Sequence, residues 1–294
     1  MTRHDPAWLD AQYNNRARVP QAPQILERWA NASALARAQS DCSLGLAYGD
    51  APGETLDVFR TAAPRAPVFV FIHGGYWRAL DKSDHSFVAP ALVDAGAMVV
   101  VPNYALCPAV TIDTIALQMT RALAWVWRHA AEHGGDARRI VVGGHSAGGH
   151  LAALLLTCRW CEVAPGLPAD LLRGALSISG LFELEPIRHT RFLAPDLGLT
   201  AASARRLSPA AMPAPAGPLA AVVGGDESEE FLRQNRLIRE AWGETAVPVC
   251  ETIPGANHFT VLHELADAQA RVYRLALGLL GLSPSRAVEN DSHS

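Results

Sequence analysis

The sequence predicts an α/β fold, a mostly parallel central sheet with helices on both faces and a small cap. Three observations lead there. Short runs without a polar interruption, such as Pro-Val-Phe-Val-Phe-Ile at 67–72, recur along the chain, and strands buried on both faces read this way. Segments of helical apolar spacing separate them, the alternation expected of parallel strands joined by helical crossovers. Finally, several runs end in turns loaded with glycine, histidine, serine or acid, at 73–77, 144–148, 224–226 and 255–259. Parallel topology brings such turns to the carboxyl edge of the sheet, where open α/β sheets hold their sites.

Taken in order, residues 1–43 read as an N-terminal extension. Trp8, Leu9, Ile25, Leu26 and Trp29 supply apolar anchors, Pro20 and Pro23 divide it into short helices, and its aromatics are expected to pack on the core rather than line a site. The main domain spans 44–282. Strand-like pieces at 44–48 and 55–60 flank Gly49-Asp50-Ala51-Pro52-Gly53, which predicts an antiparallel hairpin at a sheet edge. Strands follow at 67–72 and 97–101. Ile112, Ile115, Met119, Leu123 and Val126 recur at three- and four-residue spacing and predict an amphipathic helix over 111–132, stopped by Gly134-Gly135. A strand at 140–142, a helix over 151–156 and a strand at 174–179 come next. Residues 181–217 are rich in proline, arginine and alanine and fit a cap inserted between strands. A strand at 218–223, a polar helix over 227–242, a strand at 247–253 and an apolar helix over 261–282 complete the fold. Residues 283–294 read as a frayed polar tail.

Composition narrows the function. The chain has 294 residues, 49% hydrophobic and 18% charged, enough to bury a substantial single core. A net charge of −4 gives it no attraction to nucleic acid or anionic membrane. No basic segment followed by an apolar core opens the chain and no apolar run has the length of a membrane span, so neither a signal peptide nor a membrane anchor is expected. The scattered, odd set of five cysteines points to a reduced compartment, with the cytoplasm expected. Cys158 and Cys161 form a C-x-x-C without a second pair, and it follows a helix rather than opening one, so zinc or redox chemistry is not expected there. No other metal-ligand spacing occurs, and neither metal nor cofactor is expected. A dimer through an edge strand or the terminal helix stays open.

The chemistry centres on Gly144-His145-Ser146-Ala147-Gly148, which lies between a β-branched run and a helical segment. A G-x-S-x-G placed between strand and helix puts the serine at the apex of a strained turn, its hydroxyl beyond the strand end. A serine at its free pKa is a poor nucleophile and needs a base that is itself oriented by an acid. The chain offers Ser146, then Asp226 after the strand at 218–223, then His258 after the strand at 247–253. Glu227, Glu229 and Glu230 stand beside Asp226, but Asp226 is nearest the strand end and the others read as acids of a helix N-terminus. Among the other histidines, His145 is expected to point away from the site, and His129 and His133 close an amphipathic helix. A carbonyl oxygen gaining charge must meet preorganised amides. The loop His73-Gly74-Gly75-Tyr76-Trp77 offers Gly75 and Tyr76, with Ala147 as the third candidate donor, and His73 is expected to brace the loop. Trp77, His150 and Phe259 are candidate substrate contacts.

At these residues the chain resembles the α/β-hydrolase superfamily in its hormone-sensitive-lipase-like branch, over about residues 44–282. Most esterases of that branch carry H-G-G-G in the oxyanion loop, whereas this chain has H-G-G-Y-W at 73–77. With G-H-S-A-G-x-H-L at 144–151, that variant resembles the kynurenine formamidase (arylformamidase) group. The resemblance implies a Ser146–Asp226–His258 triad and cleavage of an N-formyl aryl amide, with N-formylkynurenine as the specific expectation and a small acyl compound as the substrate. A general short-chain carboxylesterase is the alternative. A binding protein that has lost its chemistry fits less well, because all the triad residue types are present.

Overall fold

The computed structural model describes residues 5–283. In chain order the elements are helices α1 (Pro6–Tyr13), α2 (Asn15–Arg18) and α3 (Ala22–Gln39), strands β1 (Cys42–Ala47), β2 (Thr55–Phe59) and β3 (Ala66–Ile72), helix α4 (Ala89–Asp94), strand β4 (Met98–Pro102), helix α5 (Ile112–His129), strand β5 (Gly135–His145), helices α6 (Ala147–Leu156) and α7 (Trp160–Val163), and strand β6 (Leu172–Ile178). Then come α8 (Ala194–Leu197), α9 (Ala201–Arg206), β7 (Leu219–Gly224), α10 (Glu229–Ala246), β8 (Val249–Ile253), α11 (His263–Ala266) and α12 (Arg271–Leu280). The tail expected at 283–294 lies almost wholly outside the described residues.

The strands form one eight-stranded sheet in the order β1-β2-β4-β3-β5-β6-β7-β8. The β1–β2 hairpin pairs antiparallel at one edge, as its turn sequence predicts, and β2 also runs antiparallel to β4. Every pairing from β4 through β8 is parallel. Strand side chains alternate between two cores. Val68, Val70 and Ile72 of β3 join α5 and α6 residues such as Ile115 and Leu151 on one face. Phe69 and Phe71 join Trp29, Leu92 and Val272 of α3, α4 and α12 on the other. Each such side chain, fully removed from water, contributes about 1.5–3 kcal/mol.

Local sequence sets the helix boundaries. Thr111 caps α5 by accepting from the Thr114 amide, and Ser228 caps α10 by accepting from the Phe231 amide. The apolar stretch 261–282 is not one helix. Asp267 accepts from the Gln269 amide with its side chain and from the Ala270 amide with its carbonyl, and this turn separates α11 from α12. Between β6 and β7, residues 181–217 hold only short helices and turns and no strand. Among the described residues no helix is long and apolar enough to cross a membrane, and no group of histidine, cysteine and acidic residues could hold a metal ion.

Histidines sealed within this framework make its stability sensitive to acid. His150 donates from Nε2 to the Leu207 carbonyl at 2.7 Å, and burial pushes its pKa down to about 4. His85 donates from Nδ1 to the Asp81 carbonyl at 3.0 Å, and burial pushes it down to about 3. Both stay neutral in the folded protein while the unfolded chain takes up protons below the ordinary histidine value of about 6.5. The unfolded state then binds more protons, so stability falls with pH from about 6.5 toward 4, by up to about 1.4 kcal/mol per pH unit for each residue. Urea unfolding at pH 7.5 and pH 5.5 checks this: a lower unfolding free energy at pH 5.5 is expected, and an equal or higher one contradicts it.

Candidate active site

The elbow forms where β5 meets α6. Ser146 sits at φ 57° and ψ −118°, a left-handed conformation that costs a non-glycine residue about 1–3 kcal/mol. Its amide donates to the Ile178 carbonyl of β6 at 2.8 Å, and its carbonyl accepts from the His150 amide at 3.0 Å. The helix starts so close to β3 that a Cβ on Gly148 would stand 2.0 Å from the Ile72 carbonyl oxygen, which explains the small residue there. The Ala147 amide, first in the helix, has no intrahelical acceptor and is left for another group.

The loop after β3 lies against the elbow. A Cβ on Gly74 would fall 3.1 Å from that of Ser146 and 2.8 Å from the His145 carbonyl oxygen. Gly75, Tyr76 and Trp77 all have positive φ, at 103°, 50° and 56°. The Gly75 carbonyl accepts from the Arg78 and Ala79 amides, which folds the loop back on itself. His73 braces it, with Nδ1 at 2.8 Å from the Gly74 carbonyl, Nε2 at 3.1 Å from Asn103 Oδ1, and the ring stacked 4.2 Å from that of Tyr104. Gly75, Tyr76 and Ser146 thus come together at one concavity.

His258 lies in the loop after β8. The Asn257 side chain accepts from the Phe259 and Thr260 amides at 2.9 and 3.0 Å, and this fixes the turn that presents it. The acid beside it is not Asp226. Asp226 is exposed, with its amide bonded to the Ala256 carbonyl at 3.0 Å. Glu227 is buried instead, and its Oε2 accepts from His258 Nδ1 at 2.6 Å. Its other oxygen accepts from the Gly224 amide at 2.8 Å and from the Ser179 hydroxyl. The cause is local. After β7 the chain turns so that the Glu227 amide reaches back to the Gly224 carbonyl at 3.3 Å, which returns residue 227 beneath the strand end and leaves residue 226 at the outer corner. Ser228 as the cap of α10 was the sequence signal for this: it assigns Glu229 and Glu230 to the helix and leaves only 226 and 227 to be weighed.

The substrate-contact expectations divide. Phe259 borders the cavity. Trp77 and His150 do not: both are fully buried, edge-to-face with ring centroids 5.0 Å apart, and His150 is turned away to the Leu207 carbonyl. The Trp77 indole packs into the core beneath the loop, and its carbonyl accepts from the Cys107 amide at 2.8 Å. His145, expected to point away, borders the cavity, and its Nε2 donates to the His258 carbonyl at 2.7 Å with the two rings 4.8 Å apart. Burial holds its pKa well below the ordinary value, so it is a neutral brace for the loop that carries His258.

The cavity has a volume of about 460 Å³. Besides Ser146 and His258, its walls include Tyr13, Asn15 and Trp29 from the N-terminal extension and Phe192 from the segment after β6. The extension therefore does more than pack. The Tyr76 hydroxyl donates to the Tyr13 carbonyl at 2.6 Å, and the Tyr13 hydroxyl donates to Glu230 at 2.9 Å. No pattern within residues 1–43 announced this, because the partners lie far away in sequence.

A strained serine at a strand–helix elbow, a histidine–carboxylate pair and a glycine loop at one cavity define the esterase-like class of α/β hydrolases. The family profile described as BD-FAE matches residues 56–160. The chain is 30% identical to kynurenine formamidase of Danio rerio over 84% of this chain and 85% of that protein. To kynurenine formamidase of Drosophila melanogaster it is 27% identical, over 78% of each. A crystal structure of a protein from Silicibacter sp. TM1040 superposes with a TM-score of 0.79 at 33% identity, covering 90% of this chain and 97% of that one. The carboxylesterase EstE1, cloned from a metagenomic library, shares the fold with a TM-score of 0.68 at 20% identity. The chain belongs to the α/β-hydrolase family and is a hydrolase of the group that includes these kynurenine formamidases and esterases.

The two acids make opposite predictions. Glu227→Gln keeps the shape but removes the charge that holds His258, and ester turnover (kcat) should fall about 10³–10⁴-fold. Asp226→Asn, at an exposed corner, should stay within about twofold, a surface change of the kind that is usually neutral. Steady-state hydrolysis of p-nitrophenyl acetate by both variants measures this, and the reverse ordering would restore Asp226.

Proposed function

We propose that the protein hydrolyses N-formyl aryl amides, with N-formylkynurenine converted to kynurenine and formate, through a formyl-enzyme on Ser146. The observation that carries this reading is the cavity at Ser146, walled by the rings of Tyr13, Trp29, Tyr76, Phe192 and Phe259. Such walls suit a flat aryl group, which gains from stacked and edge-on contacts as well as from burial. The similarity to kynurenine formamidases over most of both chains supports it.

In this reading His258 Nε2 takes the Ser146 proton as Oγ attacks the formyl carbon. The Gly75, Tyr76 and Ala147 amides receive the oxyanion. The carbon–nitrogen bond breaks, and His258 delivers its proton to the departing aryl amine. Water then gives a proton to His258 and attacks the formyl ester, His258 passes that proton to the Ser146 oxygen as its bond to the formyl carbon breaks, and formic acid leaves and ionises to formate in solution. Glu227 accepts from His258 Nδ1 throughout and so fixes the Nδ1–H tautomer.

The second reading, a general short-chain carboxylesterase, is favoured by the similarity to esterase LipQ of Mycobacterium tuberculosis, 36% identical over 47% of this chain. Ester turnover alone cannot separate the two, because esters are intrinsically easier to cleave; the ratio of kcat/KM values can. A kcat/KM for N-formylkynurenine above that for p-nitrophenyl acetate, with both activities abolished in Ser146→Ala, is the expected result. Ester turnover with negligible formamide turnover would select the esterase reading.

A further inference from the structure

Cleavage of a formyl group leaves one feature of the cavity unused. Arg78, directly after the oxyanion loop, and Asp196 in α8 both border it. Arg78 Nη1 donates to an Asp196 carboxylate oxygen and, at 2.8 Å, to the Phe192 carbonyl. The guanidinium carbon stands 5.7 Å from the centre of the Phe192 ring, one of the aromatic walls. The pair is not sealed: the two side chains keep 28% and 40% of their surface exposed. Arg16 borders the same cavity and adds a second cation.

We propose that Arg78 and Asp196 form a recognition site for the zwitterionic α-amino acid group of the substrate. A guanidinium has five N–H donors and a carboxylate about four acceptor positions, so each keeps capacity after their mutual bond. A substrate carboxylate set on Arg78 and a substrate ammonium set on Asp196 would close a ring of alternating charges. Because an α-amino acid carries its ammonium and carboxylate on one carbon, its two charges match a pair of side chains already in contact. The ring also has little net charge, so ligand binding strands no unpaired ion in the cavity. The inference rests on the aryl formamide reading, in which the amino acid group is the end of the substrate remote from the formyl group. It adds the selection of amino acid-bearing aryl formamides over bare ones. A pair that merely fastens α8 to the oxyanion loop would affect all substrates alike.

The test compares N-formylkynurenine with 2-formamidoacetophenone, the same aryl formamide without the amino acid group, in wild type, Asp196→Asn and Arg78→Gln. The wild type should prefer N-formylkynurenine in kcat/KM. Each variant should reduce that preference about tenfold or more, chiefly through KM, because removing one charge-assisted hydrogen bond weakens affinity by that order. Inhibition of p-nitrophenyl acetate hydrolysis by kynurenine should weaken in parallel. A wild type without the preference, or a preference unchanged in both variants, overturns the proposal while formamide turnover leaves the aryl formamide reading standing. If no formamide is cleaved, that reading fails separately. Kynurenine inhibition of ester turnover then decides: inhibition that weakens in both variants supports the paired site, and inhibition absent or unchanged overturns it.

Discussion

The structure depends on one crowded turn. Ser146 holds a backbone conformation that a free chain avoids, and it does so because β6 takes its amide while α6 takes its carbonyl. The parallel sheet supplies the first of these constraints, since β3 and β6 flank β5 and all three end at the same edge. The close approach of Gly148 to the Ile72 carbonyl draws α6 against β3, and the loop that leaves β3 is thereby laid on the serine. Strain of about 1–3 kcal/mol is stored at a point surrounded by fully buried neighbours, where the framework can over-determine it.

Around that turn the site is assembled from segments distant in sequence. Glu227 and His258 come from the ends of β7 and β8, and three hydrogen bonds hold the buried carboxylate. Each bond to a buried charge contributes about 1.5–3 kcal/mol, and a carboxylate at that depth without them would be costly. The N-terminal extension fastens the mouth. The Asp10 side chain accepts from the Arg191 amide at 2.7 Å, Tyr13 bonds Glu230, and the Tyr13 carbonyl takes the Tyr76 hydroxyl. Trp29 donates to His263 Nε2 at 2.8 Å and packs its ring against His145 and Phe259. The aperture is thus tied to the oxyanion loop, the segment after β6 and the loop that carries His258.

What was legible in the sequence is what local pattern encodes. Apolar runs located the strands, and their burial on both faces gave the parallel sheet. The strand–G-x-S-x-G–helix context located the elbow, and chain order directed attention to His258. Where the reading failed, the answer lay in turn geometry or in long-range packing. Distance from the strand end selected Asp226, but a three-residue turn put the next side chain inward. Residue type made Trp77 a substrate contact, but its indole packs in the core against His150. His145 looked detached because the strand pleat says nothing of the loop from β8 that folds over it. The extension carried no motif, and its part in the cavity wall depends on contacts made across more than sixty residues.

The central claim is that Ser146 is the nucleophile presented by this turn. Mass spectrometry of the protein after treatment with a fluorophosphonate tests it most directly. One phosphonyl group per chain is predicted, mapped to the peptide at Ser146, with hydrolysis lost in proportion to labelling. A label on another residue, or full turnover by protein labelled at Ser146, would contradict it.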